Sequence, residues 1–280
     1  MILTLLACEQ PDLTQEWELD RLRLLAIRAD PAEPAPGDVV TFSSLRYVPD
    51  AAEWAAVWIA CVAGADCSLD PALFDRFAEF DTLTPEEQAE LIAALQAAGF
   101  IGFEPGLTPT WPVPADALAG LTTDELLEGA NASIQVTLTT EADTELVLKN
   151  VPVSLATTPN TNPDVATLTY DGADAGAGFT VGVGEQIELV ATVAALEEYS
   201  YVTTDGVAET RTESLDWRWY ASGGEPVFSF GGELQEEPED TLTSTVTWIT
   251  PDAPGTYTMA AVVLDGRGGM GWWELAVVVE

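Results

Sequence analysis

The chain contains no histidine, and Lys149 is its only lysine. Histidine is the commonest general base and a frequent metal ligand, so its absence removes the usual basis for acid-base catalysis and zinc binding. Lys and Arg together number 9 against 47 Asp and Glu, which gives a net charge of −38. Because a protein needs clustered cations to bind the phosphate backbone, we predict no nucleic acid partner.

Catalytic motifs are also absent from the sequence. It has no Gly-x-Ser-x-Gly, no Ser-x-x-Lys, no phosphate loop and no Gly-x-Gly-x-x-Gly. Paired carboxylates can cleave glycosides, but among so many acids a suitable pair carries almost no information. Calcium is a second use for carboxylates, yet residues 171–174 and 265–266 are turn sequences first, and no twelve-residue calcium loop is present. We therefore predict no enzyme activity, no cofactor and no metal.

Long apolar runs are missing as well, since no stretch approaches the length of about 20 residues that a membrane-spanning helix needs. The hydrophobic fraction of 47% nevertheless excludes general disorder. A chain of 280 residues is long enough for two domains, each with its own core.

The first eight residues form a short apolar run that ends at Cys8. Leu5, Ala7 and Cys8 resemble the Leu-x-(Ala/Gly)-Cys motif of bacterial lipoprotein signals, although Leu6 is larger than usual and no basic residues precede the run. The resemblance implies cleavage before Cys8, lipidation of Cys8, and a cell-envelope protein held on the outer membrane at its periplasmic or surface face. The alternative is an ordinary apolar start with a chance cysteine.

The sequence has three cysteines. If Cys8 carries lipid, Cys61 and Cys67 remain as a pair, which predicts a disulfide and an oxidising compartment. Such a short loop stabilises the fold by about 2 kcal/mol on the chain-entropy estimate. A zinc site would need two further ligands, and there is no histidine or fourth cysteine to supply them.

Changes in composition and periodicity divide the chain. The predicted segments are a signal remnant at 1–8, a tether at 9–18, an immunoglobulin-like domain at 19–156 with a helical insertion at 64–130, a linker at 157–164, and an immunoglobulin- or PKD-like domain at 165–280. The linker is a run of turn-forming residues with nothing to bury.

Helix signals lie within the predicted insertion. Thr84-Pro85-Glu86-Glu87 is a capping box that predicts a helix to about Ala98, ended by Gly99. Helical spacing at 71–80 and a second capping signature at 122–125 predict two further helices. Residues 100–114 are expected to be irregular, and the helices are expected to cover an open end of the first sandwich rather than bind a lipid.

The last part of the chain resembles the immunoglobulin-like sandwich, particularly its PKD-type members. The resemblance rests on Pro254-Gly255-Thr256-Tyr257, on the strand that follows to Asp265-Gly266, and on the paired tryptophans of residues 217–219. It implies that Tyr257 is the corner tyrosine and that Met259 replaces the second cysteine of antibody domains, so that the inter-sheet disulfide is absent.

A faint internal repeat relates residues 36–42 to residues 183–189, because each has a glycine and an acid before a strand. The predicted fold is mainly β, with two immunoglobulin-like β-sandwich domains, the first of which has a helical insertion. The layout of a lipidation motif, a strand at 24–29 and two sandwiches resembles lipoproteins of myxobacteria and their relatives, a resemblance that implies no activity.

Adjacent tryptophans at Trp272 and Trp273 must point to opposite faces of a strand. We expect one of them to be exposed, where it can stack on a sugar or contact a protein, although core packing is the simpler interpretation. The predicted function is a non-catalytic cell-envelope lipoprotein with a structural, adhesion or protein-interaction role. The alternative is a surface carbohydrate-binding or glycan-processing protein.

Overall fold

The computed structural model describes residues 15–61, 76, 79–122, 126, 130–176, 178–203, 207–227 and 242–280. These residues are mainly β, as the sequence predicts. Within this part of the chain, no helix has both the length and the apolar character needed to span a bilayer. Cys8 and Cys67 lie outside the described residues, so lipidation and the Cys61–Cys67 disulfide stay predictions.

The N-terminal sheet pair contains seven strands: β1 (Arg23–Asp30), β2 (Val39–Tyr47), β3 (Trp54–Cys61), β4 (Phe100–Glu104), β5 (Thr110–Pro112), β6 (Ala130–Thr140) and β7 (Thr144–Val153). One sheet has the order β1-β2-β5 and the other β4-β3-β6-β7, with all neighbours antiparallel. Fully buried Val40, Trp58 and Val136 lie in one core cluster that both sheets line. The two sheets therefore form a β-sandwich.

The segment predicted to be irregular, 100–114, contains β4 and β5, so that expectation is wrong. β4 extends one sheet by pairing with β3, and β5 extends the other by pairing with β2. Gly102 permits this, because a Cβ there would lie 2.4 Å from the Cα of Pro109. Glycine in a strand interior commonly marks such a close backbone approach.

One helix, α1 (Pro85–Ala97), begins with the predicted capping box. Thr84 accepts from the Glu87 N–H, and the Glu87 side chain accepts from the Thr84 N–H. Buried Leu91 and Leu95 pack with Phe100 and with Val57, which points away from the sandwich core. The helix therefore covers an outer sheet face, which corrects the expectation that it closes an open end. The other two predicted helices fall mostly outside the described residues.

The C-terminal sheet pair contains nine strands: β8 (Val165–Tyr170), β9 (Ala173–Asp174), β10 (Gly178–Val181), β11 (Gln186–Val193), β14 (Asp216–Ala221), β15 (Glu225–Val227), β16 (Thr243–Ile249), β17 (Gly255–Leu264) and β18 (Met270–Val279). Their orders are β15-β16-β11-β8-β9 and β10-β18-β17-β14. Trp219, Trp248 and Met259 lie in their common core.

Alternation predicts the inward face of β11 correctly, since these residues are all buried: Ile187, Leu189, Ala191 and Val193. Tyr257 makes the corner contact that the immunoglobulin resemblance implies, because its hydroxyl donates to the carbonyl oxygen of Ala253 at 3.0 Å. Strands β12 (Glu198–Val202) and β13 (Ala208–Thr212) pair antiparallel in a separate two-stranded sheet.

Candidate functional site at the junction of the sheet pairs

Strand β1 is buried on both of its faces, which brings the two sheet pairs together. Leu24 and Ile27 face the N-terminal core, whereas Leu25 and Ala26 face outward. A register shift between Leu24 and Ala26 allows these neighbouring residues to be buried on different sides. The continuous apolar run from 24 to 27 is thus the sequence signal of a strand that is covered on both sides.

The outward side of β1 contributes to an apolar cluster that both sheet pairs share. Its buried members are Leu19, Leu25, Ala26 and Leu45 from the N-terminal part and Tyr220, Ala260 and Val262 from the C-terminal sheet pair. This cluster and the polar contacts around it are called the junction below. Removing this apolar surface from water favours the packed arrangement of the two sheet pairs.

The predicted tether ends inside the junction. The N–H of Leu19 donates to the Ala221 carbonyl at 2.9 Å, and the N–H of Ala221 donates to the Trp17 carbonyl at 3.0 Å. Leu19 itself is 2% exposed. The described end of segment 9–18 is therefore hydrogen-bonded to the edge of β14. This pairing also buries the side chain of Leu19.

The linker 157–164 is also packed, which corrects the expectation that it has nothing to bury. Asn160 is 2% exposed, and its backbone N–H donates to Glu33 at 2.6 Å. Asn162 donates from its amide to the Ala29 carbonyl at 2.7 Å and accepts from the N–H of Met270 at 3.0 Å. The amide groups of these two asparagines tie the linker to both sheet pairs.

A polar network surrounds Arg267 in the hairpin between β17 and β18. Its guanidinium contacts Glu197 at 2.5 Å, lies 3.6 Å from Glu213, and donates to the side-chain oxygen of Asn160. The Cζ atom also lies 4.3 Å from the ring centroid of Tyr199. One arginine thus offsets two carboxylates in a chain that is strongly acidic overall.

Asp265 holds this hairpin in shape. Its Oδ1 accepts from the N–H groups of Arg267 and Gly269, at 2.7 and 2.9 Å, while its Oδ2 accepts from Asn160. Gly269 is required here, because a Cβ on it would lie 2.2 Å from Asp265 Oδ2. The acids of residues 265 and 171–174 shape turns, and the described residues include no group of three or more metal-ligating side chains placed to hold an ion.

Burial shifts the protonation of two groups at the junction. Desolvation raises the pKa of Glu213, and the charges of Asp265 and Glu197 add to this, while the Glu197 N–H and Arg267 oppose it. Desolvation lowers the pKa of Lys149 to about 8, although Asp265 opposes the change. The Lys149 ammonium donates to the carbonyl of Gly268, so this lysine also joins the two sheet pairs.

The predicted binding residues Trp272 and Trp273 do point to opposite faces, but neither is fully exposed. Trp273 packs against the C-terminal core and donates to the Gly176 carbonyl at 3.2 Å. Trp272 packs against the shared cluster and lines a cleft of ≈340 Å³ at the junction. Both indoles are therefore half-buried rather than one being exposed and the other buried, and Trp272 keeps part of its surface open to the cleft.

Cys61 ends β3 and is buried on the outer sheet face with Ile59. Its sulfur has a bonding partner and is not a free thiol. Because Cys67 is outside the described residues, the bond between these two cysteines is still a prediction.

The sequence matches no protein-family model and no curated protein. Solved structures match across most of the chain, but at low similarity. The three N-terminal domains of the Highly Immunogenic Outer Capsid protein of bacteriophage RB49 are 12% identical, with 91% of this chain and 59% of that chain covered and a TM-score of 0.20. This chain therefore spans less than two thirds of that structure.

Murine CEACAM1b is 12% identical over 91% of this chain and 99% of its own, with a TM-score of 0.22. Domains 4–9 of the surface layer protein SbsC are 10% identical over 92% of this chain and 30% of their own, with a TM-score of 0.21. Similarities at this level carry no argument about function.

Proposed function

We propose that this chain is a non-catalytic cell-envelope lipoprotein in which two immunoglobulin-like domains are held in one fixed arrangement for a structural, adhesion or protein-interaction role. The single observation that carries the proposal is the buried, hydrogen-bonded linker at Asn160. A flexible connection between independent domains would leave its asparagines in water. Here they bond to groups of both sheet pairs.

The strand orders support immunoglobulin-like domains. The C-terminal orders β15-β16-β11-β8 and β18-β17-β14 correspond to D-E-B-A and G-F-C of the constant-type immunoglobulin sandwich. In the same lettering, the N-terminal orders are A-B-E and a C-F-G sheet extended by β4. Trp58 on β3 and Trp219 on β14 then occupy the strand that carries the core tryptophan of that fold.

The lipid anchor rests on the motif around Cys8, and its test is separate from that of the fixed arrangement. The chain is expressed with an export signal in a bacterium that lipidates secreted proteins, and its partition into a Triton X-114 detergent phase is measured. We expect the wild type in the detergent phase and Cys8→Ser in the aqueous phase. Equal partition of the two proteins contradicts the anchor and leaves the domain arrangement untouched.

Small-angle X-ray scattering tests the fixed arrangement. The wild-type curve should fit one compact arrangement of the two sheet pairs. Arg267→Ala removes the centre of the polar network and should enlarge the radius of gyration and broaden the distance distribution. Arg218→Ala is the matched control, because Arg218 and its partner Asp216 are 57% and 65% exposed. A wild-type curve that requires a broad ensemble contradicts the proposal.

A further inference from the structure

The cleft beside Trp272 is built by both sheet pairs. Residues 44–47 of β2 and the following Val48 form one wall, and Thr258, Trp272 and Glu274 of β17 and β18 form the other. Its volume of ≈340 Å³ is at the small end of the range of ligand sites, about 300–1,000 Å³. Interfaces between domains are frequent positions for such sites.

Opposite charges face one another across this cleft. The Arg46 guanidinium lies 3.6 Å from the ring centroid of Trp54 and bonds to the Ser44 hydroxyl at 3.1 Å, which fixes its planar set of donors. Glu274 on the opposite wall is exposed as a residue, but desolvation raises the pKa of its carboxyl, and the charge of Arg46 opposes this rise. The walls therefore offer fixed donors and an acceptor with little net charge.

The indole of Trp272 and the ring of Tyr47 supply apolar surface in the same cleft. Both residues are partly exposed and pack their other atoms on the shared cluster. A rigid aromatic surface beside polar groups suits a ligand that has an apolar face and hydroxyls at its edges. Pyranose rings have this character, and β-1,4-linked sugars present flat faces to aromatic rings.

The net charge of the chain further limits the class of ligand that the cleft can bind. At −38 the protein repels anions, whereas a neutral sugar meets no such barrier. We propose that the junction cleft binds a neutral β-1,4-linked saccharide, which stacks on Trp272 and hydrogen-bonds to Arg46 and Glu274. This inference rests on the fixed arrangement under Proposed function, because both sheet pairs must contribute walls.

A second aromatic cleft lies at the edge of β14 and is lined by Gln15, Glu16, Trp17 and residues 217–220. Its volume is ≈420 Å³. There, however, Arg218 pairs with Asp216 on its own strand. Trp17 therefore provides a matched tryptophan for comparison with Trp272.

Isothermal titration calorimetry with cellohexaose and with chitohexaose tests the proposal. The wild type should bind at least one of them saturably. Glu274→Ala and Trp272→Ala should each weaken that binding by about tenfold or more, since each removes a hydrogen-bond or stacking contact. Trp17→Ala and the exposed-acid variant Glu188→Ala should bind like the wild type.

Glu274→Ala keeps the test sound if Trp272→Ala unfolds, because Glu274 is exposed and lies outside the shared cluster. No saturable heat with either saccharide overturns the proposal, as does binding that is lost in Trp17→Ala and retained in Glu274→Ala. The scattering curve of Glu274→Ala should match that of the wild type. Loss of binding with an unchanged curve thus separates this proposal from that of the fixed arrangement.

Discussion

The side-chain amide of Asn160 donates to Asp265 Oδ2 at 2.7 Å, and each of these residues is 2% exposed. The bond joins the linker to the hairpin between β17 and β18, and these two segments are far apart in the sequence. Both partners are buried, so removing one would leave the other without a hydrogen-bond partner and with no water to replace it.

Asn160→Ala should lower the free energy of unfolding by about 1–3 kcal/mol. The substitution leaves a buried oxygen of Asp265 without its donor and also removes the acceptor that Arg267 uses. Urea denaturation at neutral pH measures the change. Asn131→Ala is the control, because Asn131 is exposed on β6, and its effect should stay within about 0.5 kcal/mol. Equal effects of the two substitutions would show that the linker contact is not stabilising.

Protonation of Glu213 should stabilise the fold at acidic pH. Its pKa is raised above the ordinary value of 4.5, chiefly by desolvation, so the folded state binds this proton more tightly than the unfolded chain does. Stability from this group is present below the unfolded pKa and is lost as pH rises through the folded pKa. Glu213→Gln should therefore flatten the dependence of unfolding free energy on pH in the range just above the ordinary value of 4.5.

Repulsion among the other acids also weakens as pH falls, so the relevant quantity is the difference between wild type and variant. Glu188→Gln, at an exposed position of β11, gives the comparison. Its profile should run parallel to that of the wild type. If the pH profile of Glu213→Gln is also parallel to that of the wild type, the buried carboxyl of Glu213 does not cause the pH dependence of stability.

Lys149 should make the free energy of unfolding depend on pH in the alkaline range. Its pKa is lowered from 10.5 to about 8, so above about pH 8 the folded state holds this proton less tightly than the unfolded chain. Stability therefore rises with pH between the folded and unfolded values, by up to about 3 kcal/mol. Lys149→Met should remove that rise, as measured by urea denaturation from about pH 7 to about pH 10. Identical pH profiles for the two proteins would contradict the shift.

Local signals in the sequence predict local structure well. The capping box at Thr84 starts α1, and the alternation over 186–193 gives the buried face of β11. The two glycines of the faint repeat, Gly37 and Gly184, both adopt positive φ before the second long strand of a sheet pair. Each of these features depends on residues only a few positions apart, which is why the pattern alone suffices.

Long-range contacts explain what the sequence did not reveal. β4 and β5 are short and interrupted by glycine and proline, and their places depend on β3 and β2. The linker is expected to bury nothing because asparagine and proline are typical of turns, yet Asn160 is buried by partners over a hundred residues away in the sequence. Arg46 and Glu274 likewise come together only when the sheet pairs meet.

The corner tyrosine gives a prediction that is independent of the junction. Tyr257→Phe removes the hydroxyl that donates to the Ala253 carbonyl but keeps the ring that packs on the C-terminal core. We expect a loss of about 1 kcal/mol in the free energy of unfolding, the usual net value of one hydrogen bond. Urea denaturation measures the change.

The matched control for this substitution is Tyr170→Phe. The Tyr170 ring stacks on Phe179 with centroids 4.4 Å apart, and phenylalanine preserves that contact. Its effect should remain within about 0.5 kcal/mol. A Tyr257→Phe protein as stable as the wild type would show that ring packing, rather than the hydrogen bond to Ala253, is what this tyrosine contributes to the sandwich.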